Sequence, residues 1–133
     1  MNLRIQTLYA LLIGALFSLS SASVFAGSAI PFSQKNFEQA QAQGQTILLH
    51  FHADWCPTCR QQKTALEALL KENGFSSLKT FQVDYDEETT LKKQLHVSSQ
   101  STLILYRGKK EQARSVAVTS KEGLREFLNK VSQ

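Results

Sequence analysis

Hydrophobic positions along this chain change period several times, and each change marks an element. "TILLHFH", Thr46 to His52, is nearly continuous in apolar and strand-forming residues and predicts a central buried strand. In "PTCRQQKTALEALLKEN", Cys59, Leu66, Leu69 and Leu70 recur at helical spacing, and Pro57 falls in the first turn, where its missing N–H costs nothing. Asn73-Gly74 predicts a left-handed stop to that helix, with Phe75 placed to pack back on its last turn. "LKTFQVDYD" alternates Leu78, Thr80 and Gln82 with Lys79, Phe81, Val83 and Tyr85, the pattern of a strand with one strongly buried face. "EETTLKKQLHV" reads as a short amphipathic helix. "STLILYRGKKEQARSVAVTS" predicts a hairpin with strands Thr102 to Tyr106 and Ala113 to Val118 about a turn at Gly108-Lys109. The last helix lies in "TSKEGLREFLNKVSQ". Thr119 and Glu122 offer it a capping box, and Leu124, Phe127, Leu128 and Val131 form its apolar face.

Upstream of the central strand, "SQKNFEQAQAQGQ" predicts a helix with Ser33 as N-cap and Gly44 at its end, after a short edge strand in "GSAIPF". The order is α-β-α-β-α-β-β-α. A β-α-β unit followed by a helix and a hairpin implies an α/β fold, a central mixed β-sheet flanked by helices on both faces.

Residues 1–26 stand apart from this pattern. "MNLRIQT" carries one positive charge, Arg4, and the uncharged run "LYALLIGALFSL" falls short of the roughly 20 residues that span a bilayer as a helix. "SSASVFA" then ends in a small-x-small pattern. These features predict a secretory signal peptide cleaved after Ala26, an uncleaved anchor being the competing reading. Residues 27–133 remain as one domain, and with 42% of the chain hydrophobic there is enough apolar material for one core. The formal charge of +4 is scattered, with Lys92-Lys93 and Lys109-Lys110 as isolated pairs, so no nucleic-acid partner is expected. No dimerisation element is visible, and a monomer is expected.

Export changes the meaning of the chain's two cysteines, Cys56 and Cys59, because an oxidising compartment permits disulfides. As a structural staple, so short a loop removes little unfolded-state entropy. A structural zinc site needs four ligands; two cysteines supply half of them, and His50, His52 and His96 are not in finger-type spacing. A redox couple fits the position. Cys56 sits at the N-cap end of a helix, where free N–H groups and the dipole favour a thiolate, and Cys59 returns to the same face three residues later. That arrangement predicts an exposed nucleophile of lowered pKa at Cys56, with Cys59 resolving the mixed disulfide.

"FHADWCPTCR", between a buried strand and a long helix, resembles the thioredoxin superfamily over essentially the whole of residues 27–133. "WCPTCR" is similar to the membrane-tethered reductants of cytochrome c maturation, and "ADWC" to the C-terminal domain of transmembrane thiol reductases. The resemblance implies Cys56 as attacking thiol, Cys59 as resolving thiol, Trp55 as a wall beside the sulfur, and Pro57 and Thr58 as residues that tune the potential. It implies no cofactor or metal beyond the Cys56–Cys59 disulfide itself, and protein disulfides as substrates.

Two positions depart from the family pattern. Where most relatives place a cis-proline against the cysteines, this chain has Ser101, preceded by Gln100. A non-proline cis bond costs about 2.5–4 kcal/mol, so a trans Gln100–Ser101 bond is expected. His50 stands where thioredoxin itself carries a buried carboxylate. A neutral imidazole there would serve as a base toward Cys59, and a protonated one would stabilise thiolate. His52 shares the parity of His50 and so its sheet face, whereas His96 is expected at the surface. Tryptophan before Cys56 and no histidine between the cysteines resemble the reducing branch. The implied activity is a periplasmic disulfide reductase recharged by a membrane thiol reductase. The alternatives are a disulfide oxidase or isomerase, and a non-enzymatic metal- or partner-binding module on the same scaffold.

Overall fold

A computed structural model describes residues 27–131. The expected signal peptide lies outside the described residues. Five strands, β1 (Ile30–Pro31), β2 (Thr46–His52), β3 (Lys79–Asp84), β4 (Thr102–Arg107) and β5 (Lys110–Val116), form one sheet in the order β1-β3-β2-β4-β5. β3 runs parallel to both β1 and β2, while β4 is antiparallel to β2 and β5, so the sheet is mixed as predicted. The helices are α1 (Gln34–Ala42), α2 (Pro57–Leu70), α3 (Thr89–Gln94) and α4 (Lys121–Leu128).

β2 is buried along almost its whole length because both of its faces are covered, which explains its unbroken apolar run. Ile47, Leu49 and Phe51 point to a core closed by Phe37 and Ala40 of α1 and Leu91 of α3. Leu48 points the other way, to a core with Leu66, Leu69 and Leu70 of α2 and Leu124, Phe127 and Leu128 of α4. Period-two alternation therefore divides one strand between two cores. His50 and His52 lie on the α2 side, where two more leucines would have been the apolar choice.

Several element ends differ from expectation. α2 stops at Leu70 with Lys71 as C-cap, and Asn73–Phe75 is a 3-10 turn in which Gly74 does not take positive φ. Just past this end Glu72 is held by tertiary contacts: it accepts from the two terminal guanidinium nitrogens of Arg125 and pairs with the Lys121 ammonium, both on α4. Phe75 does pack with Leu66, Leu69 and Leu70. α4 is capped by Ser120, whose hydroxyl accepts from Gly123 N, so the Thr119–Glu122 capping box is not formed. Ser120 itself takes extended backbone, φ −71 and ψ 142, so the helix starts one residue later than the Thr119 pattern suggested. β5 begins at Lys110 directly after the Gly108-Lys109 turn and contains a register shift opposite Leu105/Tyr106. Gly108 takes φ 56 in that turn, a conformation open to glycine at little cost. Ser33 caps α1 as predicted, its hydroxyl accepting from Asn36 N.

Candidate active site

The chain leaves β2 at His52 and reaches Cys56 in four residues, so the cysteines stand at the C-terminal edge of the parallel strands. Cys56 is the N-cap of α2, with φ −85 and ψ 115, and its Sγ accepts from Cys59 N at 3.2 Å. Pro57 occupies the first helical position, where it withholds no needed donor. Thr58 contributes its backbone N–H toward Cys56. Both thiols are free, and the surface of each is nearly closed: Cys56 is 4% exposed and Cys59 is 0% exposed. The expectation of an exposed sulfur at Cys56 is thus corrected. Packing against Ala53, Cys59 and Tyr85 covers it.

Ser101 joins the two thiols. Its Oγ lies 3.0 Å from Cys59 Sγ and 3.6 Å from Cys56 Sγ. The residue is buried, and no peptide bond among the described residues is cis, so Gln100–Ser101 is trans. Ser101 instead takes φ 59, its N–H donates to Phe51 O at 2.8 Å, and its carbonyl accepts from Ala117 N and from the Gln62 amide. Backbone contacts to three other chain segments therefore hold the residue, and with it one hydroxyl, against the dithiol. Gln100 stands half-buried just before it.

The two sulfurs have diverging acidities. Burial pushes the Cys56 thiol up, but the Cys59 thiol, the Cys59 N–H, the Ser101 hydroxyl and the Thr58 N–H together outweigh it and leave Cys56 below the ordinary thiol value. Cys59 is held above that value by its own burial and by the neighbouring Cys56, against the Ser101 hydroxyl. One thiol is thus set to attack and the other to keep its proton until it is needed. Ser101→Ala removes a donor from Cys56, so its thiol pKa is expected to rise. Its reaction with a small disulfide at pH 7 should slow by about fivefold, roughly one hydrogen bond's worth. Thiolate absorbance followed against pH checks the direction; an unshifted titration would show that the hydroxyl serves Cys59 alone.

The remaining predicted residues surround this pair. Trp55 is 60% exposed, and its indole N–H donates to Asp86 Oδ2 at 2.7 Å, which fixes the ring at the surface next to Cys56 in the chain. His50 is buried and neutral. Burial, with the neighbouring His52 and Lys63, pushes its pKa down to about 3 against an opposing contact from Gln62. At neutral pH the imidazolium alternative is therefore removed. His52 lies on the same face, its ring 5.3 Å from that of His50, and its Nε2 is 3.0 Å from Asp54 Oδ1. His96 is exposed, far from any role in the dithiol geometry. Gln62 was not foreseen. Its spacing three residues past Cys59, which puts both on one helical face, was the signal present in the sequence, while its full burial depends on how α2 docks. Among the described residues, no group of three or more His, Cys, Asp or Glu side chains is placed to hold a metal ion.

A dithiol of this kind, seated at a helix N-terminus over a mixed sheet, defines a thiol:disulfide oxidoreductase of thioredoxin type. The family model described as Thioredoxin matches residues 28–130. Thioredoxin of Chlamydia trachomatis serovar D is 37% identical over 98 residues, covering 74% of this chain and 93% of that protein. The crystal structure of Trxlp from Edwardsiella tarda superimposes with a TM-score of 0.73 at 42% identity, over 76% of this chain and 98% of that one. The thiol:disulfide interchange protein DsbD of Vibrio cholerae is 28% identical over 105 residues, which cover 75% of this chain but 18% of that protein. The chain belongs to the thioredoxin family.

Proposed function

We propose that this protein is an exported, periplasmic disulfide reductase that transfers electrons from Cys56 and Cys59 to protein disulfides. The Cys56 thiolate attacks one sulfur of a substrate disulfide, the substrate S–S bond breaks, and one substrate thiolate leaves. Cys59 then gives up its proton and attacks Cys56 Sγ, the mixed disulfide breaks, and the second substrate thiolate leaves. Two protons complete the reduced substrate, and the protein is left with a Cys56–Cys59 disulfide. A membrane thiol reductase supplies the next electron pair. The similarity to part of an interchange protein supports that donor class, and the apolar run before Ala26 supports export.

The observation that carries the direction is the nature of the donors at Cys56. All of them are neutral: two backbone N–H groups, a hydroxyl and a thiol. A strong oxidant of this fold owes its potential to a strongly stabilised reduced form, and here no cation supplies that stabilisation. Equilibrating the purified protein with a glutathione series is expected to give a reduction potential below about −220 mV, in the range of glutaredoxins and thioredoxin. A potential near about −120 mV, that of a strong oxidant, would reverse the direction assigned here.

A further inference from the structure

Four buried polar side-chain atoms lack a hydrogen-bond partner among the described residues: His50 Nε2, His52 Nδ1, Gln62 Oε1 and Thr80 Oγ1. They are not scattered. His50 and His52 point from β2 toward α2, Thr80 shares that sheet face one register step away beside Leu48, and Gln62 meets the face from α2. Gln62 is held in place because its amide N–H groups donate to Ser101 O at 3.2 Å and to Val118 O at 2.8 Å. Its Oε1 is thereby left facing inward. Buried polar atoms are seldom left unpaired, and a group of them on one face is the lining that a bridging water requires.

This polar strip has an inner and an outer end. At the inner end is Cys59, fully buried on the helical face that also carries Gln62. At the outer end is Asp54. His52 is 4% exposed and its Nε2 faces Asp54 Oδ1 at 3.0 Å, whereas the Asp54 side chain is 98% exposed. A carboxylate at Nε2 favours the tautomer with its proton on that nitrogen, leaving Nδ1 as an acceptor toward the interior. One ring therefore accepts on its buried side and donates on its solvent side.

We propose that His52, with Asp54, forms the outer half of a proton path that takes the Cys59 proton from His50 to solvent during the second exchange step. This rests on the exchange reading given above. As Cys59 Sγ attacks Cys56 Sγ, its proton passes to His50. The proton then moves to His52 Nδ1, and the proton on His52 Nε2 leaves by way of Asp54 to water. The departing substrate thiolate takes up a proton from solvent, so the balance closes without another reactant. His50 on its own makes a poor store, since burial keeps it from holding a charge. A neighbour bonded to an exposed carboxylate removes that difficulty. The groups facing this pair are Gln62 and Lys63 from α2, with Cys59 one turn before Gln62 on the same helical face, and Gln82 and Asp84 from β3. The Asp84 carboxylate is engaged by the N–H groups of Asp86 and Glu87, and β4 contributes Leu103 beside His50. His52 is a positioning residue here, because it acts on Cys59 through His50.

The test uses the aromatic disulfide 5,5′-dithiobis(2-nitrobenzoate). With two cysteines in the chain, the first release of thionitrobenzoate reports attack by Cys56 and the second reports attack by Cys59. His52→Gln is expected to slow the second release by about tenfold at pH 7, at the modest end of general-base effects, and to shift its pH profile upward. Asp54→Asn alters a solvent-exposed side chain, cannot act through loss of the core, and is expected to slow the same release by about threefold. An unchanged second release in either folded variant, or equal slowing of both releases, would overturn the path. If His52→Gln does not fold, Asp54→Asn decides alone. Absence of a first release from the unaltered protein would instead overturn the exchange reading.

Discussion

Cys59→Ser protein is expected to react once with a disulfide substrate and then stop, carrying half of the substrate on Cys56. The first attack draws on the lowered thiol of Cys56 and its donors, of which the Cys59 N–H, being backbone, survives the substitution. The second attack has no nucleophile, because a serine hydroxyl does not displace a thiolate at neutral pH. Steady turnover should fall by at least about 10³-fold, as when a residue of a catalytic unit is removed. The intact mass should rise by that of one substrate moiety. Cys56→Ser is expected to lose turnover equally and to accumulate no adduct, because Cys59 is fully buried and its thiol is raised. Adduct on Cys59 in the Cys56→Ser protein, or sustained turnover by Cys59→Ser, would reverse the roles given to the two sulfurs.

Acid should unfold this protein by way of His50. Its pKa is about 3 in the folded chain against an ordinary 6.5, so between those values the unfolded chain binds the proton and the folded chain resists it. The stabilisation is complete above pH 6.5 and is lost as pH falls from there toward 3. On moving from pH 7 to pH 4.5, this one group should remove about 2.5 kcal/mol of unfolding free energy. Urea denaturation at a series of pH values measures it, with His50→Leu as reference. The reference is expected to show a shallower fall by that amount. Parallel curves for the two proteins would mean that His50 is not buried as a neutral ring.

Strands and their faces were legible because burial on a pleated sheet imposes a period of two that few other structures imitate. β2 announced itself by a nearly unbroken run of apolar residues, Ile47 to Leu49 and Phe51, and the two cores it feeds account for that. The dithiol was legible for a local reason: Cys56, Pro57 and Cys59 carry their geometry within a single helical turn. Helix ends were less so. Asn73-Gly74 has the composition of a stop, but α2 ends earlier, where Glu72 is claimed by Arg125 and Lys121 from a segment some fifty residues away. The Ser101 contact with the sulfurs, across more than forty residues, could be placed through likeness to a family but not through periodicity. His50 and His52 were seen as neighbours on a face. Their unpaired nitrogens and the inward-facing Gln62 depend on how α2 docks, which no run of residues states.

The φ of 59 at Ser101 also bears on which substitutions the loop can accept. Proline's ring holds φ near −65, and it has no N–H to give to the Phe51 carbonyl that Ser101 now serves. Ser101→Pro would therefore meet a loop built on a positive φ and on a backbone donor that proline lacks. The neighbouring turn at Ala117 and the Gln62 amide, both bound to the Ser101 carbonyl, would have to be remade as well. Each such step taken singly would lose contacts before gaining any. The hydroxyl at this position can therefore be varied, but proline is closed to it by any single substitution.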